Sequence, residues 1–143
     1  MNPIRVLFVC IHNSARSQMA EAYLNHLGGG TFAAESAGLE PGVLNPGVVQ
    51  VLQEDGMDIS RNKAKSVFEM LEQGRLFDFV ITVCDETSAE KCPVFPGAGQ
   101  RLHWSFPDPG AAPGTEEAKL ERTREIRDAI KAQVKKWLSE DNR

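Results

Sequence analysis

Two hydrophobic patterns alternate along the chain: short unbroken apolar runs, and longer stretches in which apolar residues recur every third or fourth position. Ile4 to Val9 is a β-branched run of strand length that stops at Cys10, and Phe77 to Val83 is a second that stops at Cys84. Runs this short and this apolar suit strands buried on both faces. A shorter, weaker strand is expected near Phe32 to Ala37, and another around Arg101 to Trp104.

Helices fill the intervals. From about Ala15 to Leu27, Met19, Tyr23 and Leu27 recur every fourth residue, and Gly28, Gly29 and Gly30 end the pattern. Asn45 and Pro46 open another helix, since Asn accepts an orphan N–H at the N-cap and Pro has none to lose at the first helical position. Val48, Val49 and Leu52 supply its apolar face before Gly56, and a short helix covers Ser66 to Glu72. In the last helix Thr115 is the N-cap, Glu116 and Glu117 complement the positive end, and Ile126, Ile130, Val134 and Trp137 form one buried stripe. The pattern predicts an α/β fold, a three-layer sandwich with a four-stranded parallel sheet covered on both faces. In such folds the ligand site lies outside the carboxyl ends of the strands.

A chain of 143 residues fits a single domain spanning residues 1–143. The formal net charge of −4 argues against a nucleic-acid-binding surface, so any anion site must be local. The chain offers no run of about 20 apolar residues to span a bilayer, and it reads as cytoplasmic. Three cysteines are an odd number and too few for a disulfide scaffold, which leaves reactive thiols or buried core residues. A zinc site is the weaker alternative, because Cys10, Cys84 and Cys92 with His12 and His103 lack the close paired spacing of zinc motifs.

The first strand leads into Cys10-Ile11-His12-Asn13-Ser14-Ala15-Arg16-Ser17 and then directly into a helix. A loop so placed is an oxyanion trap. The backbone N–H groups of Ile11 to Arg16 can turn inward, the helix dipole adds positive charge, and Arg16 offers a planar fork for two oxygens. The same field favours the thiolate of Cys10, which is the nucleophilic form. Ser17 can donate to that thiolate, and Asn13 tolerates the positive φ of a tight loop. The bland alternative is a surface loop whose cysteine happens to precede an arginine. The strand before and the helix after favour the trap.

Cys, five residues, Arg and then Ser, near the N-terminus, resembles the signature of the low-molecular-weight tyrosine phosphatase family. The stretch from Val9 to Ala22, followed by Ser36-Ala37-Gly38, is most similar to that family's arsenate reductases, which are coupled to thioredoxin. The resemblance spans essentially the whole chain. It implies reduction of arsenate to arsenite, with phosphate or sulfate able to occupy the same site. Ile81-Thr82-Val83-Cys84 and Lys91-Cys92-Pro93 separate reductase from phosphatase, since phosphomonoester hydrolysis needs neither cysteine. The resemblance implies that Cys84 attacks the Cys10 adduct, and that Cys92 then takes over the disulfide and carries it to an external reductant. Three cysteines favour thioredoxin for that role, with no bound cofactor and a monomeric enzyme.

The segment His103-Trp104-Ser105-Phe106-Pro107-Asp108-Pro109 resembles the family's acid loop, with Asp108 as general acid. On residues alone, Asp108-Pro109 reads rather as a turn, and it is the resemblance that favours catalysis. Gly110 and Ala111 stand where a phosphatase would carry tyrosines against an aryl substrate, which suits a small inorganic oxyanion. Asn13, Glu21 and Ser36 match positions that hold a potassium ion in some of these reductases. Lys65, however, stands where an acidic ligand is expected, so the expectation is that its ammonium supplies the charge and no metal is bound. His26 is expected on a helix surface, Trp104 and Trp137 in packing, and Lys135 and Lys136 at a solvated helix end. The alternatives are a phosphatase of the same fold and a non-catalytic oxyanion sensor, which would leave the extra thiols without a purpose.

Overall fold

In a computed structural model, residues 2–84, 90–111 and 113–140 are described. The elements are β1 (Ile4–Cys10), α1 (Arg16–Leu27), β2 (Phe32–Gly38), α2 (Pro46–Glu54), α3 (Val67–Glu72), β3 (Phe79–Thr82), β4 (Gln100–His103), a 3-10 turn (Pro109–Ala111) and α4 (Glu116–Ser139). The sheet is four-stranded and parallel throughout, in the order β2-β1-β3-β4. Among the described residues no helix is long and apolar enough to cross a membrane.

Strand alternation divides the apolar runs between two faces. Val6, Phe8 and Cys10 of β1 join the larger core, where α1, α2 and α4 deliver Met19, Leu24, Leu52, Ile130 and Trp137. Leu7 and Val9 enter a smaller core on the other face, with Val67 and Met70 of α3, Phe77, Phe95 and Cys92. Helices or loops therefore cover both faces, as unbroken apolar strands require. Trp104 and Trp137 are packing residues, with ring centroids 6.0 Å apart and Phe8 5.7 Å from Trp104. Trp137 Nε1 is buried with no described hydrogen-bond partner.

β2 differs from the expectation of a short, weak strand. It has seven residues, the same as β1, and pairs with β1 in register from Ile4↔Phe32 to Cys10↔Gly38. Small residues such as Ala33, Ala34, Ser36 and Ala37 carry little strand propensity, but continuous pairing to a central strand holds them. β3 is shorter than its apolar run. Phe77 turns into the smaller core, edge-to-face against Phe95. The Asp78 carboxylate accepts the Arg5 backbone N–H, and its carbonyl accepts Gly99 and Gln100, so ladder pairing starts only at Phe79.

β1 lies between β2 and β3, while the chain visits β2 first and only then crosses to β3. The carboxyl end of β1 is thus the point where the strand order reverses, the place where open α/β sheets bind ligands. Cys10 occupies that end.

Candidate active site

Three helix starts are capped by side chains, Asn45 and Thr115 as expected and Ser66, expected inside its helix, as a third. Asn45 Oδ1 accepts Gly47 N–H at 2.8 Å, Ser66 Oγ accepts Glu69 N–H at 3.3 Å, and Thr115 Oγ1 accepts Ala118 N–H at 3.1 Å. The start of α1 is the exception: Ala15 precedes it and no side chain caps it. The orphan N–H groups of this first turn lie beside Cys10 and are left for an anion.

The loop's outward contacts explain its inward chemistry. The carbonyls of Cys10, Ile11, His12 and Ser14 accept the N–H groups of Leu39, Glu40, Gly42 and Asn45 at 2.8–3.1 Å. The Asn13 carbonyl accepts Gln18 Nε2 at 3.1 Å. Because each trans peptide points its N–H opposite to its C=O, five occupied carbonyls turn the N–H groups of Ile11, His12, Asn13, Ser14 and Ala15 to the other side. One of them is seen at work, since Asn13 N–H donates to Cys10 Sγ at 3.2 Å. Gly38 allows this close approach. A Cβ there would stand 2.7 Å from the Ile11 carbonyl oxygen and 2.8 Å from Asn13 N.

Cys10 is buried, with Ser17 Oγ 2.8 Å from its sulfur. Ser17 Oγ accepts Asn13 Nδ2 at 2.7 Å, which frees its own proton to be donated to the sulfur. Asn13 takes φ 54°, the left-handed conformation anticipated for it. The structure adds a hub that sequence reasoning missed. Gln18, fully buried, donates to both Asn13 oxygens and to the Lys63 carbonyl, while its Oε1 accepts Asn62 Nδ2 at 3.0 Å. Lys65 N–H also donates to Asn13 Oδ1 at 3.0 Å.

Arg16 is buried, and its Nη1 donates to the Phe106 carbonyl at 3.1 Å, tying the phosphate-type loop to the segment that carries Asp108. Asp108 itself is exposed, and its Oδ1 accepts Gly110 N–H at 2.9 Å. Asp108 therefore sits in a turn, two residues past the carbonyl that holds Arg16. The His12 side chain faces outward, with Nδ1 3.0 Å from the Glu40 carbonyl, so only its backbone serves the loop. His26 is exposed on α1.

All three cysteines are buried, and no disulfide joins them. Val83 N–H donates to the Val9 carbonyl at 2.8 Å, so the chain beyond β3 runs beside Cys10, and Cys84 shares Cys10's core. Cys92 lies in the core on the opposite face. Burial pushes the Cys92 thiol's pKa up, against the charge of Arg101.

Behind the loop, Glu21 Oε1 accepts Ser36 Oγ–H at 2.8 Å and lies 3.7 Å from Lys65 Nζ. Burial raises the Glu21 pKa in spite of Lys65 and that hydrogen bond. The oxygen a potassium ion would need already has an ammonium beside it, so these residues do not fit the ion. Among the described residues, no group of three or more His, Cys, Asp and Glu side chains could hold a metal.

A parallel sheet whose reversal point carries Cys10, an amide-lined loop and a buried Arg16 is matched by the family model for low molecular weight phosphotyrosine protein phosphatase over residues 5–143, and the chain belongs to that family. Within it, the similar proteins include arsenate reductases and a low molecular weight protein tyrosine phosphatase from T. tengcongensis. The arsenate reductase of Shouchella clausii is 38% identical over 133 residues, covering 92% of this chain and 93% of its own length. The solved arsenate reductase of Archaeoglobus fulgidus DSM 4304 superimposes with a TM-score of 0.72 at 36% identity, over 94% of this chain and 99% of that one. The thioredoxin-dependent arsenate reductase of Corynebacterium glutamicum gives 0.70 at 28% identity, over 96% of this chain and 60% of that one.

Proposed function

We infer that this chain is an enzyme that reduces arsenate to arsenite, with Cys10 as the nucleophile. The observation that carries this reading is that Val83, next to Cys84, is hydrogen-bonded to Val9, next to Cys10, with both cysteines in one core and Cys10 at the start of a loop turned to hold an oxyanion. The loop amides of Ile11 to Ala15 and the Arg16 guanidinium bind arsenate, a site that phosphate or sulfate also fits. Cys10 thiolate attacks arsenic and displaces one oxygen as water, with Asp108 delivering the proton as the loop anchored by Arg16 closes on the anion. Ser17 holds the thiolate until then.

Cys84 thiolate next attacks Cys10 sulfur. The S–As bond breaks, its electron pair stays on arsenic, and arsenite departs while the two thiols become a Cys10–Cys84 disulfide. Cys92 attacks Cys84 and releases Cys10, and a protein dithiol of the thioredoxin type reduces the resulting Cys84–Cys92 bond. The whole chain, residues 1–143, acts as one domain in the cytoplasm, as a monomer and without a bound cofactor. Lys65 supplies the positive charge behind the loop, in place of a potassium ion.

A single turnover tests the reading. Pre-reduced wild type mixed with excess arsenate and no external reductant should release one arsenite per chain, and Cys84→Ser should release none. Hydrolysis of an aryl phosphate by Cys84→Ser should persist, because that reaction uses Cys10, Arg16 and Asp108 alone. Undiminished arsenite release by Cys84→Ser would sink the reading, and oxyanion binding without any turnover would leave a sensor.

A further inference from the structure

The last thiol exchange demands a nucleophile, yet Cys92 is built as a poor one. It is 5% exposed, packed with Leu7, Val9, Met70, Phe77 and Phe95, and its thiol is directed at the Pro93 carbonyl 3.6 Å away. Apolar burial favours the neutral thiol, which does not attack disulfides.

One neighbour opposes this. Leu102 of β4 packs against the larger core, so the alternation of the strand sends Arg101 and His103 to the face where Cys92 lies. Arg101 Nη2 donates to the Cys92 carbonyl at 3.2 Å. We propose that Arg101 is a positioning residue for the third thiol: its guanidinium pins the Cys92 backbone to β4 and sets a permanent positive charge where the Cys92 thiolate must form. The inference rests on the disulfide relay proposed above and concerns its final internal step. There Cys92 loses its proton to water and its sulfur attacks Cys84, the Cys84–Cys92 bond forms, the Cys10–Cys84 bond breaks, and Cys10 leaves as thiolate. No net oxidation accompanies the exchange.

The other charged groups near this core have different engagements. His103 Nδ1 is 2.7 Å from Thr82 Oγ1, Arg5 and Arg75 lie over the Phe77 ring and pair with Glu35, and Glu69, Glu72, Glu90 and Lys91 are exposed. Arg101, bonded to the Cys92 carbonyl, carries a charge that works against the burial of the Cys92 thiol. A guanidinium stays charged across the working pH range, so its help does not titrate away.

The test follows one turnover of wild type, Arg101→Met and Arg101→Lys with arsenate and no external reductant. Samples are quenched with an alkylating agent at successive times, and the disulfides are mapped by mass spectrometry. Wild type should pass through Cys10–Cys84 to Cys84–Cys92, leaving Cys10 alkylated. Arg101→Met should release arsenite normally but accumulate Cys10–Cys84, its second exchange slowed about tenfold near neutral pH. That deficit should shrink as pH rises, and Arg101→Lys should recover most of the rate. Equal rates in all three proteins would overturn the proposal. So would a deficit that is constant with pH and unrelieved by lysine, which marks a structural role only. Should wild type itself form no Cys10–Cys84 bond, the relay reading falls and takes this inference with it, whereas a failure confined to the Arg101 variants leaves the relay standing.

Discussion

The residues that make the site are of two kinds, those that announce themselves by type and those that work only through distant partners. Cys10, Arg16 and Ser17 were legible because one short segment holds a nucleophile, a fork-shaped cation and a hydroxyl between a strand and a helix. Asn13 was legible because few residues other than glycine accept positive φ. Gln18 was not, since a glutamine on a helix is ordinarily solvated and its partners Asn62 and Lys63 lie 44 and 45 residues away. Arg101 was hidden for the same reason, as an arginine on an edge strand looks like surface until its guanidinium is seen on the Cys92 carbonyl. Lys65 supports a prediction at this scale. With its ammonium beside Glu21, the protein should show the same Tm and the same turnover in potassium and sodium chloride at equal ionic strength. Lys65→Ala should lose at most about 1 kcal/mol, the ordinary worth of a part-exposed ion pair. Potassium-specific stabilisation of wild type would show that the lysine does not serve as the cation.

Among the elements, every strand and helix of the described residues was foreshadowed by hydrophobic period and caps, and the misjudgements concerned length. β2 gained residues from its pairing with β1, and β3 lost them where Phe77 and Asp78 turned to other partners. Val51, rather than Val49, is fully buried on α2. What no sequence period could show is how α1, α2 and α4 are fastened together. Tyr23 on α1 donates its hydroxyl to Asp55 Oδ2 at 2.5 Å, at the end of α2, and Lys131 of α4 reaches the same oxygen at 3.3 Å. Burial and the Asp55 bond push the Tyr23 pKa up, while the Tyr23 hydrogen bond, outweighing burial and joined by Lys131, holds Asp55 below the usual carboxylate range. A depressed carboxyl contributes its stability above the unfolded pKa of about 3.9 and loses it as pH falls through the folded value. Tyr23→Phe should therefore cost about 2 kcal/mol at pH 7, as a hydrogen bond to a charged acceptor does, and progressively less below about pH 4. Urea unfolding of both proteins across that range would check it; a constant difference at every pH would mean the bond does not act through the ionised carboxyl.

For the whole molecule, the strand order decides where chemistry can happen, and the two faces of the sheet divide it into stages. Cys10, at the reversal point, and Cys84 both belong to the larger core, while Cys92 lies in the smaller core across the sheet. Under the relay proposed above, arsenic chemistry is thereby kept apart from the thiol assigned to the reductant. The family resemblance supplied the order of the thiols, and the split between cores could be read only from the fold. The most direct test is arsenate-dependent NADPH oxidation with thioredoxin and thioredoxin reductase, run on wild type beside Cys10→Ser, Cys84→Ser and Cys92→Ser. Sustained turnover by wild type alone, with each variant reduced to background, is the predicted result. A silent wild type that still hydrolyses an aryl phosphate, or a Cys84→Ser protein as active as wild type, would contradict the account.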